Sequence, residues 1–199
     1  MFGRSNKDKS SANANRWLIV GLGNPGPEYE KTRHNIGQLV LDQLSENQKF
    51  SSHKSRMQIS EIKLDGQNVV LAKSLGYMNE SGGPAKSLAD FYKIDLDKII
   101  AIHDELDLPF NNLRIKLGGG DNGHNGLKSL TATFASADYY RIRMGIGRPI
   151  GEQDPADFVL KPFSKDERAE LDSFTVRGAQ AISSLILNGI EKAQTAFNS

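Results

Sequence analysis

Residues Trp17–Gly37 read WLIVGLGNPGPEYEKTRHNIG. The run Trp17–Val20 is short and apolar, as a buried strand is. Gly21, Gly23 and Gly26 interrupt it, and Pro25 and Pro27 block its continuation as strand or helix. Beyond them Ile36, Leu39, Val40 and Leu44 recur at i, i+3, i+4 and i+8, one face of a helix. Asn35 stands where the N-cap of that helix is expected. The stretch is therefore a strand–loop–helix unit, with His34 at its mouth near the positive helix end. Open α/β sheets bind ligands at the carboxyl ends of their strands, and this is such a place.

Three readings of the unit compete. Gly21-x-Gly23-x-x-Gly26 after a strand matches the dinucleotide fingerprint of an NAD(P)-dependent oxidoreductase. Against it, the helix opens well past the third glycine, and no carboxylate ends a second strand to hold a ribose; Asp42 falls inside the expected helix. In the second reading Asn24 and His34 meet as polar working groups. In the third, His34 only helps to cap the helix.

A chain of 199 residues, 38% hydrophobic and 25% charged, suits one globular α/β domain with a sizeable core. Twenty-five basic against twenty-four acidic residues leave a net charge of +1, so any nucleic-acid contact must come from a local basic patch. The absence of cysteine excludes disulfides, thiolate catalysis and cysteine-ligated metals. No apolar run approaches a membrane span. The polar segment 1–16 lacks the apolar core of a secretory signal and is expected to be a disordered tail, with residues 17–199 forming the single domain. A cytoplasmic location follows as the default expectation.

Further along, Met57–Leu64 and Val69–Lys73 read as strands joined by Asp65-Gly66, a hairpin signal. Ser81–Tyr92 reads as a helix with Pro84 in its first turn. Lys98–His103 is a strand ending in Asp104, and Leu113–Leu117 is another that runs into Gly118-Gly119-Gly120. Asn125 is placed to cap a helix carrying Leu127, Leu130 and Phe134. Arg141–Ile146 and Asp157–Leu160 read as two more short strands. Ser164-x-x-Glu167 is a capping box for a long helix ended by Asn188-Gly189, and Ile190–Phe197 is a last short helix. Alternating strands and helices with an embedded hairpin predict a three-layer α/β sandwich around a mixed, twisted sheet.

The polar residues at the junctions form a set. Asn24 and His34 follow the first strand, Asn79 lies between a strand and a helix, Asp104 ends a strand, and Asn125 opens a helix. One acid, one histidine and three asparagines can hydrolyse an ester without a metal or cofactor. Histidine takes a proton from water, and the carboxylate fixes its tautomer and stabilises the imidazolium. Asparagine amides can donate to an oxyanion and pair with a peptide. No GxSxG elbow, HExxH or GxxxxGK[ST] is present, and His53, His103 and His124 lack metal-ligand spacing. His103 is expected to point away from Asp104, its neighbour on the strand.

Five segments, GLGNPGPEYEKTRHNIG, YMNESG, HDELDLP, LGGGDNGHNGLKSL and RIRMGIGRP, resemble in order the signatures of the bacterial-type peptidyl-tRNA hydrolase family. The resemblance spans Trp17–Phe163, and the terminal helices fit it. It implies a monomeric enzyme that cleaves the ester between a peptide and the 3′-terminal ribose of tRNA, recycling tRNA after peptides are dropped by stalled ribosomes. A second reading is a non-catalytic RNA-binding relative, because the family includes a plant organellar branch used in splicing.

Carried over by motif, His34 matches the catalytic histidine and Asp104 its partner acid, with Asn24 beside them. Asn79 and Asn125, with Tyr29 and Met78, match groups that bind the peptide and acceptor end. Lys116 and Arg143 match basic residues that hold tRNA phosphates, and Arg114, Lys128, Arg141 and Arg148 are placed to extend that patch. Three positions depart from the pattern. Leu75-Gly76 precede Tyr77 where a threonine is usual, which predicts a looser strand end. Asn111 and Asn122 replace usual glycines, the second in the loop before Asn125.

Overall fold

The computed structural model describes residues 16–46 and 48–198. The expected tail up to Asn15 lies outside the described residues. Arg16, assigned to that tail from the sequence, is instead the first residue of strand β1, Arg16–Gly21.

Among the described residues seven strands form one sheet. They are β1, β2 (Ser51–His53), β3 (Met57–Leu64), β4 (Gln67–Ser74), β5 (Ile99–Glu105), β6 (Leu113–Leu117) and β7 (Tyr140–Gly145), in the order β2-β3-β4-β1-β5-β7-β6. Strands β4, β1, β5 and β7 run parallel, while β2, β3 and β6 are antiparallel to their neighbours. The sheet is mixed, as expected. The β3–β4 hairpin turns at Asp65 and Gly66, both at positive φ, which is what a two-residue hairpin turn requires.

Among the described residues there are six α-helices: α1 (Ile36–Leu44), α2 (Gly82–Tyr92), α3 (Asn125–Phe134), α4 (Pro155–Val159), α5 (Lys165–Asn188) and α6 (Ile190–Phe197). Alternation along β1 sorts the core into two layers. Trp17 and Ile19 join Ile36, Val40, Phe174 and Ile182 on one face. Leu18 and Val20 join Ala85, Leu88, Leu127 and Leu130 on the other. The long helix α5 starts at the expected capping box, with Ser164 and Glu167 each bonding the other's backbone N–H.

Two local expectations fail. Asp157–Leu160 does not form a strand: Asp154 accepts from the N–H of Ala156, Pro155 occupies the first turn, and α4 results. Asn35 stands at the N-cap position of α1 but its side chain makes no cap bond, and Asn125 does not cap α3. The Asn35 side chain is engaged elsewhere, and the cap of α3 is His124, whose ring accepts from Gly126 N and Leu127 N.

Because four central strands are parallel, the loops after β1, β4, β5 and β7 gather at one edge. Gly21 and Gly37 let α1 enter there against the sheet. A Cβ on Gly37 would sit 2.4 Å from the carbonyl oxygen of Ile102, and one on Gly21 would sit 2.5 Å from that of Gly37. The close approach seats the turn that carries His34 over the end of β5.

Candidate active site

A groove of about 580 Å³ opens at this edge. Asn24, Tyr29 and His34 line it from the loop after β1, and Met78 and Asn79 from the loop after β4. Asp104 comes from β5 and Asn125 from the start of α3. All seven residues expected to act on the ester or the peptide thus meet in one cavity. Lys116 and Arg143 lie outside it, in an adjoining pocket of about 110 Å³ with His103, Glu105, Gly120, Asn122 and Arg141.

His34 sits in a single 3₁₀ turn, Arg33–Asn35. Its neighbour Arg33 anchors that turn from the opposite side. The Arg33 guanidinium donates to the carbonyl of Pro162 at 2.8 Å and to Glu167 at 2.7 Å, and it stacks on Phe158. These charge-assisted bonds tie the turn to the start of α5 and the segment before it. Nδ1 of His34 lies 2.8 Å from Oδ1 of Asp104.

Asp104 is buried at 4% exposure, and the same Oδ1 takes a second contact from Nε2 of His124 at 2.9 Å. Burial works against the carboxylate, but His34 and then His124 outweigh it and hold its pKa well below the usual range. Burial likewise lowers the pKa of His34, and the charge and hydrogen bond of Asp104 more than reverse this, leaving it raised. With the carboxylate accepting at Nδ1–H, the lone pair of neutral His34 is on Nε2.

The hydrogen-bond pattern also assigns the tautomer of His124. Its Nδ1 accepts from two backbone N–H groups, at 3.1 and 3.3 Å, so the proton must be on Nε2 and is donated to Asp104. Nδ1 of His34, an oxygen of Asp104 and Nε2 of His124 lie within 4.8 Å of one another, a separation a metal ion could bridge. The tautomer opposes it, because a protonated Nε2 offers no lone pair to a cation. His103 behaves as expected of a strand neighbour. It faces the adjoining pocket, bonds the Asp104 carbonyl through Nδ1, and is kept neutral by burial and by His124, with a pKa of about 3.

Asn24 is held by three contacts. The Asn35 amide accepts from its N–H and donates to its C=O, both at 2.9 Å. Its own Oδ1 accepts from Met78 N at 2.8 Å. That last bond orients the side chain, leaving Nδ2 as the donor available to the groove. Asn79 and Asn125 are exposed on the groove wall. Leu106, Val159 and Leu160 add apolar lining to the groove, Val159 from the last turn of α4.

The basic side chains divide. Lys116 is exposed, and Arg143 is gripped by Glu105, Nε at 3.0 Å and Nη2 at 2.9 Å. Arg141 does not extend the surface patch, being 2% exposed with Nη1 bonded to the Gly120 carbonyl. Arg148 lines the groove, paired with Asp107. Of the three departures, Asn111 and Asn122 adopt the positive φ that a glycine would, at 64° and 51°. The end of β4 is not loose: the Leu75 N–H reaches the Arg56 carbonyl and the Gly76 N–H reaches Ser74 Oγ.

Arg33, Asn35, Glu105 and His124 are the residues that sequence reasoning left out of the site. Their signal in the sequence is adjacency alone: Arg33 and Asn35 flank His34, Glu105 follows Asp104, and His124 precedes Asn125.

Comparison with known proteins places this arrangement. The family model described as peptidyl-tRNA hydrolase matches residues 18–199. The peptidyl-tRNA hydrolase of Streptomyces coelicolor is 51% identical over 191 residues, covering 92% of this chain and 95% of that protein. That of Rhodococcus erythropolis is 52% identical over 184 residues, covering 91% and 97%. The crystal structure of the Acinetobacter baumannii peptidyl-tRNA hydrolase superposes with a TM-score of 0.86 at 32% identity, covering 93% of this chain and 95% of that one.

Proposed function

The chain belongs to the peptidyl-tRNA hydrolase family, and from that premise we propose how its groove cleaves the ester between a peptide and the 3′-terminal ribose of tRNA. Neutral His34 takes a proton from water through Nε2 while Asp104 holds Nδ1–H and stabilises the imidazolium. The water oxygen attacks the ester carbonyl. Nδ2–H of Asn24 donates to the oxyanion that forms. As the tetrahedral intermediate collapses, the imidazolium returns its proton to the ribose oxygen, releasing free tRNA and peptide.

One observation carries the reading most: the 2.8 Å contact between His34 and Asp104, with the opposite ring nitrogen turned to the groove that Asn24 lines. Asn79, Asn125, Tyr29 and Met78 bind the peptide and the acceptor end. Lys116 and Arg143 take tRNA phosphates from the adjoining pocket. We place the enzyme in the cytoplasm, as a monomer of one domain over residues 17–199 needing neither metal nor cofactor. In support of the monomer, one chain supplies every residue of the groove. Support for the location is limited to the substrate and to the finding that no helix among the described residues is long and apolar enough to cross a membrane.

The reading is tested by incubating the purified protein with N-acetylated aminoacyl-tRNA and following release of the acylated amino acid. Multiple turnovers are expected. Stoichiometric binding of tRNA without release would favour the RNA-binding alternative. The dinucleotide reading finds no support, since the loop that would carry pyrophosphate is filled by the Asn24–Asn35 pairing and the helix starts only at Ile36.

A further inference from the structure

Strand β6 is antiparallel to β7, so it ends at the sheet edge opposite the groove. The segment 118–124 must therefore travel back across the sheet to bring His124 and Asn125 to the active site. With glycine at 118, 119, 120 and 123 it has little intrinsic preference for one path. Its course is set by side chains. Arg141 donates to the Gly120 carbonyl at 2.6 Å, Asp121 accepts from Thr131 at 3.0 Å, and His124 ends the segment on Asp104.

Asn122 supplies a further tie, from the middle of the loop to the end of β5 and the turn beyond it. Its Nδ2 donates to Glu105 Oε1 at 3.0 Å and to Asp107 Oδ2 at 2.8 Å. Each of those carboxylates also holds an arginine, Glu105 gripping Arg143 and Asp107 gripping Arg148. One amide thus joins two ion pairs into a chain, Arg143–Glu105–Asn122–Asp107–Arg148. Arg143 lines the adjoining basic pocket and Arg148 the groove, while Asn122 and Glu105 line both. Glycine at position 122 could adopt the same left-handed backbone but could make neither bond.

We propose that Asn122 is a positioning residue, a latch that closes the glycine-rich loop over β5 and fixes the spacing between the basic pocket and the catalytic groove. A tRNA whose phosphate sits at Arg143 must present its ester at His34 in the same complex. A latched partition sets that span before binding, so less ordering is left for the bound state. The cost of losing it falls on substrates that reach both sites. The kinetic consequence rests on the hydrolase reading above; the latch itself does not.

The test uses the full chain and two substitutions, Asn122→Gly and Asn122→Asp. Both suit a positive φ. Neither can donate to Glu105 and Asp107, and the aspartate adds a third carboxylate beside them. Kinetics are measured on full-length peptidyl-tRNA and on a peptidyl ester of the terminal adenosine. For both variants KM for the full-length substrate should rise about three- to tenfold more than KM for the adenosine ester, as loss of one or two hydrogen bonds to charged groups allows. Hydrogen exchange of the amides of residues 119–124 is read in parallel and should accelerate in both variants.

Wild-type exchange rates in both variants would overturn the latch, whether or not the protein hydrolyses tRNA esters. Equal KM losses on the two substrates would overturn the role in spacing. Wild-type behaviour of Asn122→Asp with a defect only in Asn122→Gly would show that backbone stiffness alone matters, again against the latch. Failure of the wild-type chain to hydrolyse either substrate would instead remove the hydrolase reading, and the exchange data would still decide the latch.

Discussion

The side chain of Asn35 pairs with both backbone groups of Asn24, accepting from its N–H and donating to its C=O, each at 2.9 Å. The residue next to the histidine thus holds the loop that carries Asn24, the oxyanion donor of the proposed mechanism. Asn35→Ala should lower kcat by about 10²-fold, the scale of a misplacement near 1 Å. It should also cost about 1–3 kcal/mol of stability by leaving buried polar groups unpaired. Asn35→Asp keeps the acceptor but sets a carboxylate oxygen against the Asn24 carbonyl, and should lose activity comparably. Single-turnover rates and thermal melts check both; an active Asn35→Ala would leave Asn35 a plain buried polar residue.

The pKa of His34 is raised, and in the proposed mechanism it acts in its neutral form, which determines the sign of the pH dependence. The acid limb of kcat/KM should lie above pH 6.5, with activity rising through it. Stability runs the other way: protonated His34 contributes fully below pH 6.5, and the contribution fades as pH climbs through the raised value. Asp104→Asn removes the charge that raises the pKa, so its acid limb should shift down while kcat falls. A limb that stayed in place would dissociate it from His34.

His124 leads to an opposite shift. Its Nε2–H shares the oxygen of Asp104 that His34 uses. Removing that donor with His124→Ala leaves the carboxylate interacting with His34 alone, which should move the acid limb up. Loss of the α3 cap should cost about 1 kcal/mol besides. The pH profile and the melting temperature of the one variant separate the two effects.

With a net charge of only +1, affinity for tRNA must come from a compact patch. Lys116→Ala and Arg143→Ala should each raise KM for full-length substrate and reduce the slope of log K against log salt by about one. Neither should impair a substrate carrying only the terminal nucleotide. Titrations across salt concentrations test this, and equal losses on both substrates would put these side chains in support of the catalytic groove instead.

Local signals made much of this fold legible. The apolar run of β1, the Asp65-Gly66 turn and the Ser164-x-x-Glu167 capping box are set by neighbours in sequence, and each forms within a residue of its expected place. The Asp157–Leu160 segment was misread because three apolar side chains in a row fit a strand, while the Asp154-Pro155 start that makes it helical lies just before them. The position of His34, Asp104, Asn24, Asn79 and Asn125 at strand and helix junctions marks them out in the sequence, the family's motifs match them, and they do share one groove. Asn35 reads from sequence as no more than a helix cap, and His124 carries no signal of a site role, because their main partners, Asn24 and Asp104, are distant in sequence. Arg141 looked like a surface cation for the same reason: its burial depends on a loop that returns across the sheet.

The central claim is that His34 is the base. It is tested most directly by single-turnover hydrolysis of peptidyl-tRNA by His34→Ala, with tRNA affinity and melting temperature measured on the same preparation. The expected result is a rate lower by about 10²–10⁴, with affinity and melting temperature close to those of the unsubstituted chain. A rate within a few-fold of the unsubstituted chain would contradict it.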